Sequence, residues 1–401
     1  MTMRFFHRRT LYPLAGTIIF SIGVLALAKP AMLQAMGNMV GISFADGDGI
    51  TVSSVEQLKR EIAKAKKHTV FRLKPGEYDG FYLGKVNVPE GIVIESADPA
   101  NRAVVPGGVI KGSANITLRN MLFTRSPDAA PQQYLLLVEG SSDIVVENVE
   151  LLGQGDPAAD KRISALMLRG SRNIRVVGSR LSRFRYALSF LGGSNITIER
   201  NEFTDLRTDA IRGGGVDDLT VVGNVIGNFQ PAEGDHPDGI QLWSNNTSRP
   251  ARNITIRDNL IVRDGGGIIQ GIFIRDTARQ LPFENVAISG NLIVGSMYNG
   301  ICIDGVRGAR VSDNVVIPQG SMRSWIRIER GQDVELTDNR AQLYIVGKGA
   351  VVKQVRSKRT GPLKDPLASV VRPWLETKPE LKAMPGPYLR SLTGMSGTEN
   401  R

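Results

Sequence analysis

The chain has 401 residues with 44 glycines, 20 prolines and only 6% aromatic side chains, a composition typical of a globular protein rich in turns and poor in long helices. Its net charge of +11 favours a polyanionic partner, so nucleic acid, an anionic membrane and an acidic polysaccharide are all candidates. Cys302 is the only cysteine, which excludes an intramolecular disulfide and zinc–thiolate chemistry.

Residues 1–45 have the layout of a secretory signal peptide. Basic side chains near the start precede an uncharged run from Thr10 to Ala28, and small residues that suit a signal peptidase end at Ala28 and again at Ala45. The run is also nearly long enough to cross a bilayer, which takes about 20 residues. We therefore expect a periplasmic or secreted protein, with attachment to the inner membrane through residues 10–28 as the alternative.

Residues 46–112 contain a predicted capping helix followed by strands. Ser54 has the features of a helix N-cap, and Val55, Leu58 and Ile62 form an apolar stripe at helical spacing. The hydrophobic period then changes to two residues, with glycine and proline at the turns. A helix that leads into strands suits a cap over the end of a solenoid, where apolar surface and unpaired backbone would otherwise be exposed.

Residues 113–351 repeat a short unit in which Asn, Asp or Gly precedes alternating apolar residues. The units begin at Asn115, Asp143, Asn173, Asn195, Asp218, Asn253, Asn285, Gly308 and Asp333. Six units carry a further asparagine six positions later, at Asn201, Asn224, Asn259, Asn291, Asn314 and Asn339. The strand-like period and the short repeat exclude propeller blades and helical or leucine-rich repeats.

This repeat predicts an all-β solenoid, a single-stranded parallel β-helix with three short strands per turn and a capping helix at its N-terminal end. Successive turns would lie about 4.8 Å apart, so equivalent residues would stack in columns. We expect the six asparagines to form one inward column that satisfies backbone groups at a bend.

Residues 352–401 lack the repeat and contain ten basic residues and six prolines. We expect a basic, proline-rich tail that is partly disordered. Apolar residues from Leu367 to Trp374 are expected to fold back as a cap over the C-terminal end.

Three features resemble the pectate-lyase-like right-handed parallel β-helix superfamily over roughly residues 50–350. They are the entry sequence Leu73–Tyr78 (LKPGEY), the Asn-Ile-Thr-Ile units, and the Asp-Gly-Ile-Gln step that begins at Asp238. The superfamily includes polysaccharide lyases, polygalacturonases, mannuronan C5-epimerases and phage tailspikes. The resemblance therefore implies a right-handed β-helix far more specifically than it implies a reaction.

Inserted loops predict a groove beside one strand of each turn. The longer repeats hold insertions at 126–133, 153–163, 229–237 and 265–270, all directly before the equivalent strand, and loops on a rigid scaffold often carry binding sites. Strand alternation sends polar and aromatic side chains of this strand outward, among them Arg169, Arg212, Gln241, Trp243 and Arg275. Arginine can clamp a carboxylate and tryptophan can stack on a sugar ring, which suits a uronate chain. An ordinary polar outer face remains the alternative.

The candidate catalytic residues lie at the edge of the same strand. Tyr186, Asp209 and Asp238 precede it on successive or nearby turns, so the two carboxyl groups could share a proton as acid and base. An aspartate before glycine or alanine is also a common turn former. Asp235 and His236 complete the densest titratable cluster, and imidazole moves protons well near neutral pH. Mannuronan epimerases carry Asp-Pro-His before an acid, and the order here differs.

The predicted activity requires no cofactor. Calcium bound by Glu233, Asp235 and Asp238 is an alternative, because carboxylate oxygens are its preferred ligands and the ion could neutralise a uronate. The sequence contains no specific metal motif, so no metal-binding residue is assigned. The Asn-Thr-Asp, Asp-Asp and Arg-Ile-Lys set of polygalacturonases is also missing, which disfavours hydrolysis.

Together these features predict an exported carbohydrate-active enzyme that acts on an acidic polysaccharide by β-elimination. Arg212 or Arg275 would neutralise the uronate, and His236 or Tyr186 would remove the C5 proton. C5-epimerisation and glycoside hydrolysis are the enzymatic alternatives. A non-catalytic polysaccharide-binding protein of exopolysaccharide assembly is the alternative from another class. Nucleic acid is not expected as a partner, because aromatic residues are sparse and the chain carries an export signal.

Overall fold

A computed structural model describes residues 49–125, 133–155 and 164–394. The predicted signal peptide or anchor lies outside these residues. In the described part of the chain, no helix is both long and apolar enough to cross a membrane.

The described residues form a right-handed parallel β-helix with three strands per turn, as the repeat and the resemblance predicted. Sheet A contains Ile50–Val52, Thr69–Leu73, Asn87–Ser96, Ala114–Arg119, Ser142–Glu147, Asp217–Val222, Arg252–Arg257 and Phe283–Ser289. Sheet B contains Gly76–Glu77, Ala103–Val105, Leu122–Thr124, Glu150–Leu152, Arg180–Ser182, Glu202–Thr204, Val225–Gly227, Leu260–Val262, Leu292–Val294, Val315–Ile317, Arg340–Ala341 and Lys358–Arg359.

Sheet C follows sheet B in each turn and contains Phe81–Gly84, Gly108–Lys111, Tyr134–Glu139, Ile211–Gly214, Asp238–Trp243 and Gln270–Arg275. Five longer strands begin in sheet C and bend into sheet A: Ser164–Val177, Tyr186–Glu199, Tyr298–Ser312, Ser324–Thr337 and Leu343–Val355. All pairings are parallel, so each turn binds the turns above and below through backbone hydrogen bonds.

The bend between sheets C and A explains why each repeat begins with Asn, Asp or Gly. Asn173, Asn195 and Asn253 all adopt left-handed backbone conformations there, with φ between 52° and 55°. Asparagine, aspartate and glycine tolerate this region better than other residues. The side chains also bond along the axis, and the amide of Asn195 donates to Asn173 Oδ1 over 3.0 Å. The repeat start is therefore a turn requirement, which the sequence pattern alone did not distinguish from a strand start.

The six predicted ladder asparagines form one fully buried column. Asn259 is typical, because its amide nitrogen donates to Val221 O over 3.0 Å and to Asn291 Oδ1 over 2.9 Å. Its Oδ1 accepts from the backbone nitrogen of Asn224 over 3.0 Å. The column thus satisfies backbone groups at the bend between sheets A and B and links consecutive turns, as the sequence predicted.

Replacing Asn259 with leucine is expected to lower the free energy of unfolding by roughly 1 to 3 kcal/mol, because buried backbone and amide groups lose their partners. The urea-induced unfolding midpoint measures this loss. Gln332→Leu, an exposed change on the outer face, provides the control and should leave the midpoint nearly unchanged. Equal midpoints for the two variants would show that the ladder contributes nothing to stability.

The capping helix spans Val55–Lys64, close to the predicted span. The side chain of Ser54 accepts the backbone hydrogen of Gln57 as its N-cap, and Val55, Leu58 and Ile62 are buried. These three side chains join the main hydrophobic core of the solenoid. The helix therefore covers apolar surface at the N-terminal end of the core.

The C-terminal segment differs from the expected end cap. A π-helical turn (Leu367–Val371) and three short helices (Arg372–Glu376, Pro379–Lys382 and Pro387–Thr393) form a second core with sheet B. Val225, Leu260 and Leu292 of that sheet carry apolar side chains on its outer face, which gives the helices a surface to bury. The segment therefore lies along the side of the solenoid, where it covers the outer face of sheet B.

Candidate functional site

The outer face of sheet C carries a column of outward-pointing side chains along the axis of the solenoid, of which Cys302 is buried and the others are partly exposed. Strand register aligns Arg212 with Gln241, Gln241 with Phe273, Phe273 with Cys302, and Cys302 with Arg327. A second column, two residues further along each strand, aligns Trp243 with Arg275 and Arg275 with Asp304. The positions that alternation predicted to face outward therefore stack on one face.

Three hollows follow one another along this face. The first, of about 460 Å³, lies between Tyr134 and Trp243, and the second, of about 380 Å³, lies between Arg212 and Thr277. The third, of about 620 Å³, begins at Phe273 and reaches Lys348. Neighbouring hollows share lining residues, so together they form a groove, called the sheet C groove below.

Arg212 is the central cation of the groove. Its guanidinium lies 3.9 Å from the ring centre of Tyr186 and 4.7 Å from that of Trp243. Beneath it, Nη1 of Arg212 lies 3.0 Å from Oδ2 of Asp209. Cation–π contact on both sides and an ion pair below hold the guanidinium in one position. Arg185 adds a second cation 4.9 Å from the centre of the Tyr186 ring.

Asp209 and Asp238 are both buried beneath the groove floor. The backbone nitrogen of Asp238 donates to Asp209 Oδ1 over 3.1 Å, and Gln241 Nε2 donates to Asp238 Oδ2 over 2.5 Å. Burial raises the pKa of Asp209 to about 6, although Arg212 acts to lower it. Burial and the nearby charge of Asp209 raise the pKa of Asp238 well above its usual value. Asp209 is therefore mostly ionised at neutral pH, whereas burial and the charge of Asp209 favour the protonated form of Asp238.

The other members of the predicted titratable cluster lie in different environments from this pair. Asp235 forms an ion pair with Arg207, with 2.6 Å between Oδ2 and Nε, and accepts the backbone hydrogen of Ala232 over 2.9 Å. The hydrogen bond from Arg207 lowers the pKa of Asp235. His236 is exposed on the same loop. In the structure, Asp238 therefore lies in the groove floor, Asp235 forms an ion pair, and His236 faces solvent.

Arg169 and Arg275 lie on the same face and each contacts a carboxylate. Arg169 Nη1 lies 3.4 Å from Glu139 Oε1, and its guanidinium lies 5.9 Å from the ring centre of Tyr134. Arg275 Nε lies 3.4 Å from Asp304 Oδ2, and its side chain is half exposed. Arg275 lines the second and third hollows and can contact a ligand there, whereas Arg169 lines none of the three hollows.

A network of polar and aromatic side chains lies at the start of the later sheet C strands, and it was not predicted as a whole. Asn299 donates through its amide to Gln270, and its Oδ1 accepts the indole hydrogen of Trp325 over 2.9 Å. The ring of Trp325 stacks on Tyr298 with 5.1 Å between centres. Gln270 and Asn299 lie at the start of the sheet C strand in the two turns after that of Asp238, so their position follows from the repeat. The aromatic pair could be found only from the strand register. Arg185 was also missed, although its position beside Tyr186 was a usable signal.

No group of three or more His, Cys, Asp or Glu side chains in the described ranges is arranged to hold a metal ion. Of the three side chains considered for calcium, Asp235 is bound by Arg207 and Asp238 by Gln241.

A family model described as "Right handed beta helix region" matches residues 107–316. No curated protein matches the sequence. Among solved structures, an alginate lyase from Paenibacillus sp. str. FPU-7 is 12% identical with a TM-score of 0.48, over 76% of this chain and 99% of that one. The Streptococcus pneumoniae surface protein and adhesin PfbA is 16% identical with a TM-score of 0.49, over 78% and 98%. A periplasmic alginate epimerase is 12% identical with a TM-score of 0.45, over 78% and 84%. The family model shows the fold, and at these identities and TM-scores the three structures carry no argument about activity.

Proposed function

The chain belongs to the right-handed β-helix family, and from the site that it builds on this fold we propose that it binds an acidic polysaccharide in the sheet C groove and cleaves it by β-elimination. The observation that carries this proposal is the position of Arg212 between Tyr186 and Trp243, above the buried carboxyl pair. This arrangement offers a cation, a phenol and a sugar-stacking surface at one point of an extended groove.

Arg212 and Gln241 would bind the carboxylate of one uronate unit. They are neighbours in the outward column, so their polar ends face the same part of the groove. Positive charge beside the carboxylate withdraws electrons from C5 and stabilises the negative charge that forms there when the proton leaves. Trp243 would stack on the ring of the bound sugar, which orients C5 toward Tyr186.

Tyr186 would transfer the proton. The phenolate form of Tyr186 would take the C5 proton, the released electron pair would form the C4–C5 double bond, and the C4–O bond would break. The leaving oxygen then takes the proton from the Tyr186 hydroxyl, which restores the starting state. One side chain can serve both steps when the hydrogen on C5 and the leaving oxygen on C4 lie on the same face of the sugar ring.

Asp209 and Asp238 would act from below rather than touch the sugar. Arg212 covers Asp209 and Gln241 covers Asp238, and both carboxyl groups are almost closed to solvent. Their contacts fix the two groups that bind the substrate, which is the role of a positioning pair. This assignment differs from the sequence hypothesis that the pair supplies the acid and base directly.

Hydrolysis is the second candidate, and the carboxyl pair favours it. Two neighbouring acids, one of which favours its protonated form, are the groups that a glycosidase uses. In that reaction Asp238 would protonate the leaving oxygen, and Asp209 would activate water. Either Gln241 or Arg212 would have to move aside for the sugar to reach them.

Product analysis distinguishes the candidate functions. The purified protein should be incubated with alginate, polygalacturonate and glucuronan, and β-elimination should produce an ultraviolet absorbance from the double bond conjugated to the carboxylate. New reducing ends without that absorbance would support hydrolysis, and changed stereochemistry at constant chain length would support C5-epimerisation. Binding with no chemical change would contradict the enzyme and favour a polysaccharide-binding protein.

A further inference from the structure

The far end of the sheet C groove contains a concentration of cations that the proposed reaction does not use. The third hollow is lined by Arg275, Arg279, Arg327, Arg330 and Lys348 but by only two carboxylates. Asp304 accepts from Arg330 Nε over 2.5 Å, and Glu329 Oε2 lies 2.6 Å from Arg327 Nη2. Within the described residues, no ion pair involves Arg279 or Lys348. These two exposed cations therefore leave positive charge in the hollow.

The turn that carries Arg279 is held rigidly. Asp276 is buried at its start and accepts from Ser244 Oγ over 2.7 Å and from the backbone nitrogen of Leu281 over 3.2 Å. Gly305 packs so closely against Asp276 that a Cβ atom would lie 2.5 Å from the Asp276 Cβ. Arg279 itself has a left-handed backbone, with φ of 57°. A strained, well-braced turn that presents a cation to a hollow is typical of a binding site.

The distance between the two ends of the groove sets the size of ligand that could occupy both. Arg212 and Arg327 belong to the same outward column and are separated by four turn-to-turn steps. At about 4.8 Å per step, the separation is about 19 Å. One unit of an extended polysaccharide is roughly as long as one step. A chain that lies along the groove would therefore reach the edge of the hollow at Phe273 with its third unit and place its fifth unit at Arg327, inside the hollow.

The two ends also share the same kinds of side chain. At one end Arg212 lies beside Tyr186 and Trp243, and at the other the hollow adjoins the stacked pair of Trp325 and Tyr298. The link is Asn299, which lines the hollow and accepts the indole hydrogen of Trp325. Each end thus combines positive charge with an aromatic surface, the pair of features that binds a charged sugar.

We propose that the hollow at Arg279 and Lys348 is a second anionic subsite, which binds the carboxylate of a uronate unit four positions along the chain from the one at Arg212. This inference rests on the proposed function and specifies its substrate: a linear polyuronate with charged units at both positions, at least five units long. Shorter chains occupy only one end. The subsite contributes to capture of the polymer and takes no part in the proton transfer.

The test compares trimers and hexamers of 1,4-linked uronic acids, from alginate and from polygalacturonate, by calorimetric titration. Wild-type protein should bind hexamers of at least one polymer more tightly than its trimers. The double variant Arg279→Gln, Lys348→Gln should weaken hexamer binding by roughly 10- to 100-fold and leave trimer binding unchanged, because it removes two charge-assisted contacts at the distant end.

The matched control is Arg310→Gln, Lys353→Gln. It removes the same charge from the outer face of sheet A, where both cations lie within 3.7 Å of Glu335. The control should bind hexamers as the wild type does. Unchanged hexamer binding in the groove variant, or equal weakening in both variants or for both lengths, would overturn the subsite while the proposed function stands. Failure of the wild type to bind any oligomer would overturn the proposed function and the subsite with it.

Discussion

Replacing Tyr186 with phenylalanine is expected to reduce turnover of an acidic polysaccharide by roughly 10² to 10⁴, because only the hydroxyl that transfers the proton is removed. The ring stays in place under Arg212, so the cation–π contact at 3.9 Å and the fold should be retained. Initial rates of ultraviolet absorbance increase, measured over a range of substrate concentrations, give kcat and KM separately. The loss should fall on kcat.

Tyr134→Phe is the matched control for this experiment. Tyr134 lines the same hollow two turns away and also has an arginine near its ring, 5.9 Å from Arg169. The control should retain its turnover. Full activity in Tyr186→Phe would contradict the assigned base, and loss of activity in His236→Ala would then move that role to the exposed imidazole of the neighbouring loop.

Replacing Arg212 with glutamine is expected to destabilise the protein by up to about 3 kcal/mol near pH 8, because a buried carboxylate loses its cation. Burial raises the pKa of Asp209 from 3.8 to about 6 even with Arg212 present. The folded protein therefore holds this proton more tightly than the unfolded chain. The contribution of Asp209 to the stability of the wild type therefore falls as the pH rises from 3.8 toward about 6 and then levels off.

Without Arg212 the pKa of Asp209 should rise further, so the fall in stability should continue above pH 6. Urea unfolding at pH 5 and pH 8 measures the difference between the two proteins. The double variant Arg212→Gln, Asp209→Asn should lack the part of this pH-dependent loss that comes from Asp209, because position 209 no longer has a carboxyl group to ionise. A loss of the same size at both pH values would show that Arg212 stabilises through ring packing alone and not through Asp209.

The positions of Arg212 and Gln241 on one face could be predicted, whereas the pairing of Arg207 with Asp235 could not. The first follows from alternation within strands whose order is fixed by the repeat. The second joins a loop of one turn to a loop of the preceding turn, and loop paths are not set by a period. For this reason the sequence grouped Asp235, His236 and Asp238, while the structure places them in three different environments.

The sequence by itself determined the solenoid, its capping helix, the asparagine column and the outward face, because each depends on a pattern that repeats from turn to turn and stacks by backbone pairing. Only the tertiary structure decided that Arg212 lies between Tyr186 and Trp243, that the carboxyl pair is covered, and that the C-terminal helices pack on sheet B. These contacts join residues that are distant in sequence and have no common period. Their geometry follows from side-chain packing and the burial of apolar surface, which act after the backbone has brought the turns together.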